Sequence, residues 1–175
     1  MRAWIAVLAS PLLAGCAGVT TAPVTEKTAR AELRNAAGQA VGTATLTQVG
    51  STVRVLAEVQ GLPPGVKAVH IHAVGRCESP GFNSAGDHFN PLGKQHGALN
   101  PAGPHAGDLP NITIGPDGKG RLETATELIT LLSGATSVFD ADGSSLVIHA
   151  APDDFKTDPT GNAGARIACG VITRK

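Results

Sequence analysis

From Ala29 to Val59 the chain alternates between apolar and polar residues with a period of two, and this restricts the fold more than any other feature. Ala29, Ala31 and Leu33 face one way, Arg30, Glu32 and Arg34 the other. Gly42, Ala44 and Leu46 oppose Thr43, Thr45 and Thr47. Val53, Val55, Ala57 and Val59 alternate with Thr52, Arg54, Leu56 and Glu58. Successive side chains of an extended strand lie on opposite faces, so each run is a strand with one face in a core and one in water. Strands of this kind pair antiparallel. Gly38, Gly50-Ser51 and the Gly61-Leu62-Pro63-Pro64-Gly65 cluster supply the turns between them. A fourth strand is predicted from about Val66 to Ala73.

From Val74 to Leu109 the chain has no period of either kind and is rich in Gly, Pro, Asn and His. A loop of that length is uncommon in a compact domain unless something ties it down. A metal and a disulfide can both do so. Strands resume at Asn111–Gly115, turn at Pro116-Asp117-Gly118 and continue to about Glu127. Another strand, Ser145–Ala150, follows Asp142-Gly143. A second irregular loop covers Pro152 to Ala165, and Arg166–Ile172 makes the last strand. These eight short strands with two long functional loops predict an all-β, antiparallel Greek-key barrel or sandwich. The sequence shows no internal repeat and no long amphipathic helix.

The first residues read as an address. Met1-Arg2 gives a short positive start, and Ala3 to Ala14 is nearly uncharged and apolar. That stretch is too short for a membrane span and suits a signal-peptide core. It ends in Leu13-Ala14-Gly15-Cys16, which resembles the lipobox of bacterial lipoproteins. The resemblance implies a signal peptide over residues 1–15, cut before Cys16, whose sulfur then carries lipid. An ordinary signal peptide with a coincidental cysteine is the alternative. One acyl chain anchors weakly, whereas two or more hold a protein stably on a membrane. Ala17 stands where an Asp retains many such lipoproteins on the inner membrane, which favours an outer-membrane anchor if the host has two membranes. The expectation is an exported protein of the periplasm or cell envelope. Residues 16–27 would be its lipidated tether and residues 28–175 a single domain.

Export also bears on the three cysteines. With Cys16 assigned to lipid, Cys77 and Cys169 remain, and in an exported protein that pair reads as a disulfide, with two buried free thiols as the alternative. Closing so long a loop contributes about 4–5 kcal/mol in the chain-entropy account. The formal net charge is +0 and no basic run exists, which argues against a nucleic-acid partner. The only Trp is Trp4 and there is no Tyr, so the domain's core must be aliphatic with four Phe as its aromatics.

The six histidines lie between positions 70 and 149. In His70-Ile71-His72, residues i and i+2 of a strand share a face, so both imidazoles can meet one ion. His88, His96, His105 and Asp108 follow in the patternless loop, and His149 ends the run Leu146-Val147-Ile148. Any one of them alone reads as a surface or satisfied core histidine; the clustering of all six does not. Imidazole suits copper, zinc, iron and nickel. These seven side chains are too many for one ordinary shell. They are too few for two separate tetrahedral sites unless one imidazole is shared through both ring nitrogens.

In this order and spacing the residues resemble the copper/zinc superoxide dismutases, of the exported bacterial kind. The matching segments are His70-Ile71-His72, Gly86-Asp87-His88-Phe89-Asn90-Pro91, His96-Gly97, His105-Ala106-Gly107-Asp108-Leu109, Val147-Ile148-His149 and Gly161-Asn162-Ala163-Gly164-Ala165-Arg166-Ile167-Ala168-Cys169-Gly170. The resemblance covers roughly Thr28 to Ile172 and implies an immunoglobulin-like barrel or sandwich. It implies one copper ion, held by His70, His72, His88 and His149, and one zinc ion, held by His88, His96, His105 and Asp108. His88 would bridge the two. The implied activity is dismutation of superoxide to dioxygen and hydrogen peroxide, protecting the cell envelope. Copper would cycle between two oxidation states while zinc holds the loop, and His88 would release, gain a proton and pass it on.

Asp153 matches an acidic residue that links a copper histidine to a zinc histidine through their outer nitrogens, here His70 and His96. A solvated loop carboxylate is the plainer reading. Arg166 matches a guanidinium that attracts and orients the small superoxide anion, against a strand-edge ion pair as the plain reading. Cys77 and Cys169 match the family disulfide. Thr160 matches a residue at the channel mouth, where an ordinary loop threonine is almost as good a reading. The loop between His149 and Arg166 is shorter than in the familiar eukaryotic members, which puts their steering charges in doubt and leaves Lys156 as a weak substitute. Whether the chain forms a homodimer does not carry over. The rivals from other classes are a copper carrier or catalytically inactive relative and, more distantly, a hydrolytic zinc enzyme. A carrier would favour soft ligands that this chain does not offer. A zinc hydrolase would need a general base beside an open zinc position.

Overall fold

The computed structural model describes Met1 and residues 26–175. Residues 2–15 of the expected signal peptide, Cys16 and most of the expected tether lie outside the described residues. Among the described residues, nine antiparallel strands form one sheet that curls into a nearly closed barrel. They are β1 (Lys27–Asn35), β2 (Ala40–Val49), β3 (Thr52–Val59), β4 (Gly65–Lys67), β5 (Val69–His72), β6 (Ile112–Ile114), β7 (Gly120–Thr126), β8 (Ser145–His149) and β9 (Arg166–Arg174). Across the sheet they run β4-β6-β7-β3-β2-β1-β9-β8-β5. Among the described residues the helical content is one short 3-10 turn, Asn83–Ala85.

The period-2 faces fall as the alternation requires. Ala29, Ala31 and Leu33 of β1, Ala44 and Leu46 of β2, and Val53, Val55, Ala57 and Val59 of β3 are buried in one core. Gln48 shares the buried face of β2. Its amide donates to the Gly50 carbonyl at 2.9 Å and accepts from Leu131 N–H at 2.6 Å, so its polarity is satisfied where it is buried.

The count is nine strands where eight were expected, because the predicted strand Val66–Ala73 is two strands. β4 pairs with β6 and β5 pairs with β8. At Ala68, between them, the chain changes partners: Ala68 N–H donates to Ala151 O at 2.9 Å, and His149 N–H donates to Ala68 O at 3.0 Å. This switch closes the barrel and brings both ends of the sheet to one place. The first strand begins at Lys27, one residue before the expected domain start. A third irregular connection, residues 127–144, buries Ile129, Leu131 and Val138 in the core.

Two features carry the long loop after β5 onto the barrel. Ile71 N–H donates to Gly107 O at 2.8 Å, and Phe89 N–H donates to Ile71 O at 2.8 Å, so the loop is laced along the free edge of β5. A Cβ on Gly107 would overlap the Ile71 carbonyl, which is why glycine stands there. Farther along, Cys77 and Cys169 form a disulfide that spans 92 residues and ties the loop to β9.

Candidate metal centre

Strand β5 turns Val69 and Ile71 into the barrel core and leaves His70 and His72 on the other face, beneath the loop. Isolated bridges place His88 beside His72 and Asp108 beside His70. The register of β8 shifts between Ile148 and His149, and His149 then pairs with Arg166 of β9. Such irregularities re-aim a side chain. This one places a guanidinium across the ladder from an imidazole.

All six histidines meet at this place. His70, His72, His88 and His149 offer ligand atoms that lie within 4.8 Å of one another, as do His70, His88, His96 and Asp108. His88 Nδ1 and His96 Nδ1 each lie 3.1 Å from Asp108 Oδ1. His105 Nδ1 lies 3.4 Å from both His88 Nδ1 and Asp108 Oδ1, slightly outside the tighter group.

Four of the six rings are oriented by a hydrogen bond on their outer side. His72 Nδ1 meets Gly86 O at 2.9 Å, and His149 Nδ1 meets Gly164 O at 3.1 Å. Their Nε2 atoms then face each other 3.3 Å apart. Asp153 is buried and spans two rings, with Oδ2 2.8 Å from His70 Nε2 and Oδ1 2.9 Å from His96 Nε2. His70 Nδ1 and His88 Nε2 are left buried without a hydrogen-bond partner. Buried polar atoms are nearly always paired, and imidazole nitrogens that converge in this way could hold a metal ion. The donor set fits copper and zinc: imidazoles with one carboxylate, and no thiolate.

The charges of four of the rings agree with that chemistry. Burial lowers the pKa of His70 to about 4 and of His149 to about 3, so both rings are neutral at physiological pH. Burial pushes His72 and His105 down as well. Burial also disfavours charge on His96, but Asp108 and Asp153 outweigh it and raise its pKa to about 9. Burial likewise opposes charge on Asp108. Its bonds to His88 and His96 and the Gly97 N–H prevail and hold it ionised far below the usual carboxylate range. Asp153 is held down in the same way by His70, His96 and the Phe155 N–H.

A cleft of about 580 Å³ opens onto His72, His88 and His149. Arg166 lines it, with Nη1 donating to Phe82 O and Nη2 to Gly86 O, both at 2.7 Å. The Gly86 carbonyl therefore holds the guanidinium and His72 together. Thr160 lines the cleft, as expected of a residue at its mouth. Lys156, only a weak substitute for the eukaryotic steering charges, does not line it; Lys94 does. The Asn90 side chain fixes the turn that presents Lys94, accepting from Lys94 N–H at 2.9 Å and donating to Lys94 O at 2.7 Å. Neither the two carbonyls nor Lys94 could be found from sequence, because a main-chain acceptor carries no residue signature and a lone lysine carries little.

Fold and site together define a β-barrel with a paired candidate metal centre. The family model described as copper/zinc superoxide dismutase (SODC) matches residues 40–172. Superoxide dismutase [Cu-Zn] 2 of Aquifex aeolicus (strain VF5) is 51% identical over 146 residues, covering 82% of this chain and 85% of that protein. Superoxide dismutase [Cu-Zn] of Caulobacter vibrioides is 46% identical, covering 77% of this chain and 79% of that one. A crystal structure of a double mutant of a SOD-like protein from Bacillus subtilis superposes with a TM-score of 0.78 at 41% identity, over 81% of this chain and 95% of that chain. The chain belongs to the copper/zinc superoxide dismutase family. Its activity is superoxide dismutation, and its cofactors are copper and zinc.

Proposed function

We propose that His70, His72, His88 and His149 hold the copper ion, that His88, His96, His105 and Asp108 hold the zinc ion, and that His88 presents one ring nitrogen to each. The observation that carries this reading is the pair of buried, unpartnered nitrogens His70 Nδ1 and His88 Nε2 within one group of four imidazoles. Asp153 occupies His70 Nε2, so His70 Nδ1 is the atom left for the group with His72 and His149. His105 therefore takes the place in the zinc group that distance alone would give to His70. Copper supplies the one-electron exchange that turns two superoxide ions and two protons into dioxygen and hydrogen peroxide.

The chain's own groups do the rest. Arg166 draws the anion into the cleft and holds it beside His149, with Lys94 adding a second positive charge at the mouth. His88 Nε2, when it is not held by the copper ion, would take up a proton and give it to the departing peroxide. Asp108 and the three zinc histidines hold the loop that carries His88. Diffraction measured at the copper and zinc absorption edges tests the assignment. Copper is expected among His70, His72 and His149, and zinc beside Asp108; the reverse occupancy overturns it.

The same reading places the protein in the cell envelope, anchored by lipid on Cys16, with residues 1–15 removed and residues 16–27 as tether. Periplasmic exposure fits the Cys77–Cys169 disulfide, which forms under oxidising conditions. There it would consume superoxide that arises outside the cytoplasm. Cys16→Ala is expected to move the protein from the membrane fraction to the soluble fraction, and retention in the membrane would overturn the anchor. A homodimer is compatible with this reading, and sedimentation of the detergent-extracted protein decides it.

A further inference from the structure

We infer that Asn111 is a positioning residue that holds both halves of the metal centre in one geometry; this rests on the ligand assignment proposed above. Asn111 lies three residues after Asp108, directly before β6. Its Nδ2 donates to the Asp153 carbonyl at 3.0 Å, and its Oδ1 accepts from Asp153 N–H at 2.9 Å. Two opposed hydrogen bonds to one residue fix its main chain against both sliding and rotation, as a neighbouring strand would. Asp153 belongs to no strand, so the Asn111 side chain stands in for the missing ladder partner.

What Asn111 fixes is the carboxylate that bonds His70 of one group and His96 of the other. Asp153 sits 2.8 Å from His70 Nε2 and 2.9 Å from His96 Nε2. The outer hydrogen bond of a metal-binding imidazole sets its ring orientation and its basicity. A shift of the Asp153 backbone would therefore turn one copper ligand and one zinc ligand together. Glycine at 161 makes the arrangement tighter still, because a Cβ there would overlap the Asp153 carboxylate. The amide is needed for its chemistry: only a group that donates and accepts at once can pair with both the N–H and the C=O of Asp153. A carboxylate at position 111 would face the Asp153 carbonyl with a second acceptor.

The experiment compares the wild-type protein with Asn111→Ala, each loaded with copper and zinc. Zinc affinity is measured by competition with a chelator, the copper environment by its electron paramagnetic resonance spectrum, and folding alone by melting of the metal-free protein. In Asn111→Ala, zinc affinity is expected to fall about tenfold or more and the copper spectrum to change in the same variant. An unchanged zinc affinity and copper spectrum, with only a lower melting temperature, would make Asn111 structural and overturn the inference. If Asn111→Ala does not fold, Asn111→Ser takes its place under the same two outcomes, since its hydroxyl cannot reach both main-chain atoms. A wild-type protein that fails to bind one ion of each metal would instead overturn the ligand assignment.

Discussion

Arg166 shows how little of a residue's task is written in its own identity. The guanidinium is usable because Phe82 O and Gly86 O aim it into the cleft beside His149. Arg166→Ala is expected to keep both metals, because His72 retains its own bond to Gly86 O, and to lose about tenfold to a hundredfold in kcat/KM. Loss of copper in that variant would show that the arginine holds the ligands instead of the substrate. Lys94→Gln is expected to cost less and to flatten the fall of the rate with rising ionic strength, as removal of an exposed steering charge should. An unaltered salt dependence would remove Lys94 from the steering group. The histidines set the pH behaviour of the metal-free protein. His70 and His149, with pKa values lowered to about 4 and about 3, stay neutral in the fold while the unfolded chain takes up protons below about 6.5. Stability from them therefore falls as pH drops from about 6.5 towards 4. His96, raised to about 9, stays charged in the fold, and its stabilisation is lost as pH rises from about 6.5 to 9. Metal-free melting temperatures should peak near neutral pH. If His96 holds zinc as proposed, the ion displaces its proton and should remove the alkaline decline; a flat metal-free profile would contradict these charge states.

The elements were legible where their faces differ and obscure where they do not. Alternation located β1, β2 and β3, since each has one buried and one wet face. The division between β4 and β5 at Ala68 left no trace, because a change of hydrogen-bonding partner alters no residue pattern. Residues 127–144 were equally obscure. Ile129, Leu131 and Val138 enter the core from irregular backbone, where neither period applies. The disulfide was legible from export and cysteine count, and its structural task belongs to this scale: it pins the loop bearing Phe82 and Gly86 to β9. Replacing both Cys77 and Cys169 by Ser is expected to cost about 4–5 kcal/mol in urea unfolding. A loss well under 1 kcal/mol would mean that the loop is held by its other contacts.

At the scale of the whole molecule, the barrel brings distant parts of the chain to one point. β5, the loop behind it, the end of β8 and the loop before β9 converge where the sheet nearly closes. The clustering of the histidines between positions 70 and 149 foretold a shared site, and the match to known segments divided it into two ions. Asp153 was legible only through that match, and Asn111 and Lys94 were not legible at all. Their roles depend on hydrogen bonds from side chain to main chain across gaps of 42 residues for Asn111 and 4 for Lys94, and these no spacing rule records. Binding of both ions to the folded chain alone should stabilise the whole barrel, as any ligand with no affinity for the unfolded state must. Removing them with chelator should lower the melting temperature and restore it on reloading. The most direct measurement is metal content together with superoxide turnover on the purified protein. One copper and one zinc per chain with rapid loss of superoxide is expected; full loading with both ions and no turnover would contradict the account.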